Sequence, residues 1–352
     1  MSLSRRSAAS LLVLASLGLA ACSGSSDATS AGSSAGSGAS AAAEVRLGYF
    51  PNVTHAVPIV ADKEGLFAKH LGGSTLKIST FNAGPAAMEA LKSGAIDATY
   101  VGPGPATNAF INSQGEAIRI VSGAATGGAA LVVDPSITSV AQLKGKKIAT
   151  PQLGNTQDVA LRFYLKEQGL TTDLQGGGDV NITPQDNSQI LDSFSQKLIA
   201  GAWVPEPYAT RLVQAGGKVL VDEHSLWPGG EFPVTVLAVR PDFLTKHPDS
   251  VKALLEGQLD AEAFIASNAT KAQSDVGAVI KAVSGKALDP SVISAAWKNL
   301  EFTNDPVPSA LAAGAEHAYA VGILKTKPNL DGLVDLAILN QVLTAAGKET
   351  VR

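Results

Sequence analysis

Residues 45–55 read Val45-Arg46-Leu47-Gly48-Tyr49-Phe50-Pro51-Asn52-Val53-Thr54-His55. A β-type run gives way to turn residues at Pro51-Asn52, and a helical pattern then continues to Lys69. The unit repeats. Residues 75–81 lead into Asn82-Ala83-Gly84-Pro85 and a helix over 86–93, and residues 98–101 lead into Gly102-Pro103-Gly104-Pro105 and a helix through Asn112. Residues 118–121 precede a turn over 122–128, residues 147–150 precede Gly154-Asn155-Thr156-Gln157, and residues 181–183 precede Asp186-Asn187-Ser188. Strands alternating with helices predict an α/β protein with sheets covered on both faces. In such sheets ligands sit outside the carboxyl ends of the strands, so function should gather in these turns.

After Arg240 the texture changes. Val251, Leu254, Leu255, Leu259 and Ala263 stand at helical spacing, and residues 272–283, 291–300, 308–321 and 330–346 also read as helices. This tail predicts a helical C-terminal layer, more structural than functional. Two extended segments, 129–133 and 234–239, look like crossovers near Leu131 and Leu237, with an insert of about 100 residues between them, the size of a small domain. The expected architecture is two doubly wound mixed-sheet domains joined by two crossover strands. Residues 44–130 and 236–352 would form a discontinuous first domain, residues 131–235 the second, and a cleft would lie between them.

Hydrophobic residues make up 45% of the chain, enough for a sizeable core. Loss of residues 1–21 would remove two arginines and no acids, moving the formal charge from −4 to −6, and no Lys/Arg cluster appears. Nucleic acid is therefore not an expected partner. Cys22 is the only cysteine, so no internal disulfide can form. The histidines His55, His70, His224, His247 and His317 lack the close pairing of a metal motif, and neither a nucleophile elbow nor a phosphate-binding P-loop occurs. The reading is a binding protein, with no enzyme activity, cofactor or metal.

The amino terminus gives a location. Arg5 and Arg6 precede an apolar run over 11–21 that is too short to span a bilayer, and Leu19-Ala20-Ala21-Cys22 resembles the lipobox of bacterial lipoproteins. Residues 1–21 then read as a signal peptide, exported by the general or the twin-arginine route. Residues 22–43 read as a flexible Ser/Gly/Ala tether reaching roughly 25 Å from a membrane held by lipid on Cys22.

The turns share a chemistry. Asn82 with Ala83 and Gly84, Gly102 with Gly104 across Pro103, and Asn155 with Thr156 and Gln157 each precede a helix, where free N–H groups and the positive helix end favour an anion. Capping alone would also account for any one of these loops. Lys and Arg are absent from them, which suits a singly charged oxyanion such as a sulfonate better than a phosphate ester. Phe50, Asn52 and His55 lie at the first strand-to-helix turn and Thr126 in the segment 122–128, with either Phe50 or Tyr49 facing the site according to register. Trp203, Tyr208 and Trp227 offer apolar walls, and Asp158 and Glu206 either meet an ammonium or act structurally.

The order and spacing of several fragments carry a family resemblance. These are Gly48-Tyr49-Phe50-Pro51-Asn52, Glu64-Gly65-Leu66-Phe67 at the end of the first helix, Ala90-Leu91-Lys92-Ser93-Gly94-Ala95-Ile96-Asp97, Gly102 to Pro105, Leu143-Lys144-Gly145-Lys146-Lys147-Ile148-Ala149, and Ala202-Trp203-Val204-Pro205-Glu206-Pro207-Tyr208. Together they resemble the type II periplasmic binding proteins of ABC importers, in particular the aliphatic sulfonate, taurine and nitrate group. The chain departs from that pattern around Gly127-Gly128 and carries an additional Trp227-Pro228-Gly229-Gly230-Glu231 turn. The resemblance implies a monomeric, membrane-anchored lipoprotein on the extracytoplasmic face that hands a small anionic ligand, an aliphatic sulfonate first, to a permease driven by an ATPase. It also admits nitrate, bicarbonate, taurine or a thiamine-pyrimidine precursor as ligand, or a ligand-sensing lipoprotein without an importer. Mass spectrometry of the membrane fraction should find diacylglycerol on Cys22, and Cys22→Ser should release the protein or leave the precursor unprocessed; an unmodified Cys22 in mature protein would refute the anchor.

Overall fold

The computed structural model describes residues 41–352. Cys22, the expected signal peptide and all but residues 41–43 of the expected tether lie outside the described residues. The chain opens with β1 (Glu44–Tyr49), a 3-10 turn at Val53–His55, α1 (Ala56–Lys63) and α2 (Leu66–Leu71). β2 (Thr75–Thr80) leads to α3 (Gly84–Lys92), β3 (Ala98–Val101) leads to α4 (Pro103–Asn112), and β4 (Arg119–Gly127) continues through Gly128 into β5 (Ala129–Val133). Three more units follow: β6 (Lys147–Pro151) with α5 (Thr156–Glu167), β7 (Asn181–Gln185) with α6 (Asn187–Ser195), and β8 (Gly201–Pro205) with α7 (Tyr208–Gln214). β9 (Lys218–Asp222) returns through two 3-10 turns to β10 (Pro233–Val239). The tail holds α8 (Pro241–Lys246), α9 (Pro248–Ser267), α10 (Ala269–Ser284), α11 (Pro290–Trp297), β11 (Leu300–Glu301), α12 (Pro308–Ala320) and α13 (Ala337–Ala345).

These strands form two mixed sheets, in the orders β11-β4-β10-β3-β1-β2 and β7-β6-β8-β5-β9. In the first, β1 pairs in parallel with β2 and β3, while β10 runs antiparallel to β3 and β4. In the second, β6 pairs in parallel with β7 and β8, while β5 runs antiparallel to β8 and β9. Each sheet with its covering helices makes one lobe. The antiparallel members include the strands that enter and leave the second lobe.

Strand alternation distributes the core. On β10, Leu237 and Val239 face the helices that include α1, α9 and α10, whereas Val236 and Ala238 face α3 and α4. On β5, Leu131 and Val133 pack with Leu161 and Leu165 of α5, and Ala130 and Val132 pack with Ile190 of α6 and Leu212 of α7. Every residue of β5 and β10 is buried, which explains their nearly continuous apolar sequences. Burying one such Leu, Ile or Val contributes about 1.5–3 kcal/mol.

Three expectations change. The segment expected as a turn over 122–128 is largely strand, since β4 extends to Gly127 between β10 and β11. Its small residues answer to crowding: a Cβ on Gly123 would strike the Asp305 carbonyl. The first helix breaks in two at Gly65, whose φ of 67° stops α1 before α2 begins. Leu131 and Leu237 lie inside the sheets, each paired on both sides, and the inter-lobe connections fall instead at Gly127-Gly128 and over residues 223–232.

Gly127 and Gly128 both have positive φ, 77° and 67°, and a Cβ on Gly128 would collide with Leu300. Gly128→Ala should therefore lower stability by about 1–3 kcal/mol, read as a fall in thermal midpoint. An unchanged midpoint would show that the connection tolerates a side chain.

Candidate functional site

The carboxyl ends of the parallel strands in the two lobes face one another across short contacts. The Gly104 N–H donates to Thr156 Oγ1 at 3.1 Å, and Asn108 Nδ2 donates to the Gly154 carbonyl at 3.1 Å. Glycine makes this approach possible: a Cβ on Gly102 would lie 2.8 Å from Thr156 Oγ1, and one on Gly104 3.0 Å from the Thr156 backbone. Gly84 serves a similar purpose within the first lobe, since a Cβ there would run into Pro105. On the far side of the connections, Asn299 Nδ2 donates to Glu206 Oε1 at 2.7 Å.

Two small, partly open spaces between the lobes border the strand ends. One, of about 30 Å³, is lined by Phe50, Pro51, Asn52, Phe81 and Asn82 from the first lobe and by Asn187, Ser188 and Tyr208 from the second. No charged side chain lines it. Phe50 faces this cavity, and Tyr49 points into the core with its hydroxyl donating to Asp62, which settles the register. Asn52 Oδ1 accepts from the Thr54 N–H at 3.0 Å and from the Thr54 hydroxyl at 3.1 Å, so it caps the first turn. No side chain caps α3 or α6. The residue placed to cap α6, Asp186, instead accepts from Gln152 Nε2 at 2.9 Å, and buried Asn187 keeps its Oδ1 without a hydrogen-bond partner. Two helix starts without a side-chain cap, one per lobe, suit an anion through their first N–H groups.

The other cavity, of about 40 Å³, is walled by Pro103, Gly104 and Thr107 of α4, and by Thr156, Val159 and Ala160 of α5. The second connection adds Glu223, Trp227 and Phe232, and α12 adds Ala310, Leu311, Gly314 and His317. The tail is thus part of the site as well as a structural layer. His317 stacks on Phe163 of α5 with ring centroids 3.6 Å apart, joining the tail to the second lobe, and its burial lowers its pKa. Glu223 is buried and accepts from Trp203 Nε1 at 2.6 Å and from Trp227 Nε1 at 3.4 Å. Burial raises its pKa to about 7, and the two indole N–H groups only partly offset that.

The remaining sequence-selected residues are placed as follows. Asn155 caps α5, accepting from the Thr156 N–H, and Thr156 holds the clasp to Gly104. His55 is buried, stacked on Phe50 at 4.4 Å with Nδ1 against the Thr54 hydroxyl, and burial drives its pKa down to about 3, so the ring is neutral. Gln157 and Thr126 are buried and line neither cavity. Trp203 does not reach the cleft: it sits mid-strand on β8 between β5 and β6, fully buried against Tyr164, and acts through its bond to Glu223. Glu206 accepts from Thr210 and Asn299 and has its pKa raised by burial; Asp158 accepts from Thr150, Gly154 and Arg162, a structural role. The sequence reading missed Glu223 and the α12 wall. It quoted Asn187-Ser188 as a turn without assigning it to the site.

Residues 38–280 match the NMT1-like family. The chain belongs to that family. This NMT1-like protein is 30% identical to the taurine-binding periplasmic protein of Escherichia coli (strain K12) over 203 residues, 58% of this chain and 61% of that one. Its fold is shared with the alkanesulfonate-binding protein SsuA from Xanthomonas axonopodis pv. citri, bound to MOPS (TM-score 0.71, 18% identity, 84% of this chain and 99% of that one). It is shared also with the periplasmic nitrate-binding protein NrtA from Synechocystis PCC 6803 (TM-score 0.70, 16% identity, 86% and 89%). Among the described residues no helix is long and apolar enough to cross a membrane.

The Glu223 shift has a sign that can be measured. A carboxyl group with pKa near 7 when folded and 4.5 as its ordinary value binds more protons folded than unfolded between those limits. Its contribution is complete below about pH 4.5 and is lost as pH rises through 7, up to roughly 3 kcal/mol. Glu262, also raised to about 7 by burial, acts in the same direction. Thermal midpoints should fall from pH 5 to pH 7.5, and Glu223→Gln should shrink that fall; an unaltered pH slope in the variant would place Glu223 in a less buried setting.

Proposed function

We propose that this NMT1-like protein is the solute-binding component of an ABC importer, capturing a small singly charged oxyanion, an aliphatic sulfonate first, between its lobes and delivering it to the permease. The observation that carries this reading is the cavity where Asn52 and Asn82 meet Asn187 and Ser188 at two uncapped helix starts, without a charged side chain in its lining. Neutral donors from both lobes can share a single negative charge without the desolvation cost of burying a cationic side chain. A space of about 30 Å³ has room for roughly two waters, which matches an oxyanion head, and Phe50, Phe81 and Tyr208 give an organic substituent apolar walls. The names of the relatives, which bind taurine, alkanesulfonate and nitrate, support the same class of ligand.

In this reading the two lobes act as the domains of a clamp that pivots on Gly127-Gly128 and on residues 223–232. A ligand closes it because only the closed form presents both sets of donors. The protein binds and releases without chemical change. It works as a monomer on the extracytoplasmic face, held there by lipid on Cys22.

Calorimetric titration with ethanesulfonate, taurine and nitrate tests the proposal. One of them should bind at a single site, and Asn82→Ala and Asn187→Ala should each weaken it by about 10- to 100-fold, the cost of one hydrogen bond to a charged group. Undiminished affinity in both variants, or no binding of any of the three, would overturn it.

A further inference from the structure

The cavity between α4, α5 and α12 presents a different chemistry, and it does so with residues that the oxyanion cavity does not use. Glu223 is 1% exposed and is one of the residues that line the space, and the two donors to its carboxylate are the neutral indole N–H groups of Trp203 and Trp227. An ionised carboxylate has about four acceptor positions, so two donors leave capacity over. Among the described residues, no Lys or Arg pairs with it. His224, next in sequence, has Nδ1 against the Gly230 carbonyl at 2.7 Å, and His317, on the opposite wall, is held towards its neutral form by burial. A buried carboxylate without a cation is costly and is stabilised either by a proton or by a cation from outside.

The walls favour an organic cation. The rings of Trp227 and Phe232 stack with centroids 5.9 Å apart and an interplanar angle of 18°, and both line the cavity beside Glu223. Aromatic faces next to a carboxylate attract ammonium groups through the ring quadrupole and the charge together. The α12 wall leaves space there: a Cβ on Gly314 would meet nothing within 4 Å. A volume of about 40 Å³ has room for roughly three waters, which suits a primary ammonium on a short chain and excludes a bulky quaternary one.

We infer that this cavity is a binding site for a small primary ammonium group, held by the Glu223 carboxylate beside the Trp227 and Phe232 rings. The groups that bear on its pH dependence are Asp222 and His224 flanking Glu223 and His317 from α12. The facing residues of α4 and α5 are uncharged. Binding needs Glu223 ionised, so affinity should rise with pH until the acid has lost its proton near pH 7.

The experiment is calorimetric titration of the full chain with ethylammonium chloride, with tetramethylammonium chloride at equal ionic strength as the control. Wild type should bind ethylammonium at one site at pH 8 and about 30-fold more weakly at pH 5.5. Glu223→Gln, which keeps the size of the side chain, should weaken binding at pH 8 at least tenfold, and Trp227→Leu severalfold. Ethanesulfonate titrations on the same variants separate this site from the oxyanion cavity, because they should be unaffected. Absence of saturable binding by wild type at pH 8, equal affinity at the two pH values, or equal affinity in a folded Glu223→Gln variant would overturn the inference. If Glu223→Gln does not fold, the wild-type pH comparison decides alone.

Discussion

A helix that follows a strand begins with N–H groups that no residue of the helix can accept, and in a parallel sheet these starts collect along one edge. How each start is satisfied shapes this molecule. The 3-10 turn at Val53–His55 takes Asn52 as its cap and α5 takes Asn155, so those asparagines are committed to the fold. The Gly104 N–H at the start of α4 goes to Thr156 in the other lobe and becomes a clasp. At α3 and α6 no side chain caps the start and no bond to the other lobe takes its donors, although the Asp186 carbonyl accepts from Gln189 in α6. Those two starts border a single cavity, one from each side.

The approach of the lobes depends on what is missing from the backbone as much as on what is present. Gly102 and Gly104 let the β3 turn come within van der Waals range of Thr156, and Gly127-Gly128 turns the chain from one sheet to the other. Two buried carboxylates near this seam take different partners. Glu206 has three donors and ties the second lobe to Asn299, while Glu223 has two indole donors and lines the cavity beside α4 and α5. The tail closes the arrangement from outside, with α12 packed against both α4 and α5.

Much of this was legible in the sequence, and the reasons differ by element. The βα units stand out because period-2 runs, turn residues and helical spacing follow one another in a fixed order, as in residues 45–69 and 98–112. The long β4 was less legible: Ser122 and Gly123 look like turn residues, and only the pressure of the Asp305 segment, far along the chain, explains small side chains in a strand. At the site, local chemistry pointed to Asn82 but could not distinguish a cap from a contact, because the difference lies in which partner a side chain finds, and it marked Asn187-Ser188 only as a turn. Trp203 misled for a related reason. Its strand does run to the cleft, but alternation sends this residue into the core. Glu223 carried no local signal; its role comes from two tryptophans and a helix brought together by the fold.

The place of β10 has a consequence for how the protein is made. This strand inserts between β3 and β4, with Val236 opposite Val101 on one side and Gly123 on the other, and the whole second sheet is encoded between those partners. A chain emerging amino terminus first has β1 to β4 available long before the strand that must join them. Until β10 arrives, the first sheet is split, with open edges on β3 and β4 capable of pairing with another chain. The second lobe has no such dependence, since β5 to β9 are contiguous and can close on themselves. Assembly should therefore proceed from the middle of the chain outward, with the first lobe finished last and its early strands in need of shelter from aggregation while they wait.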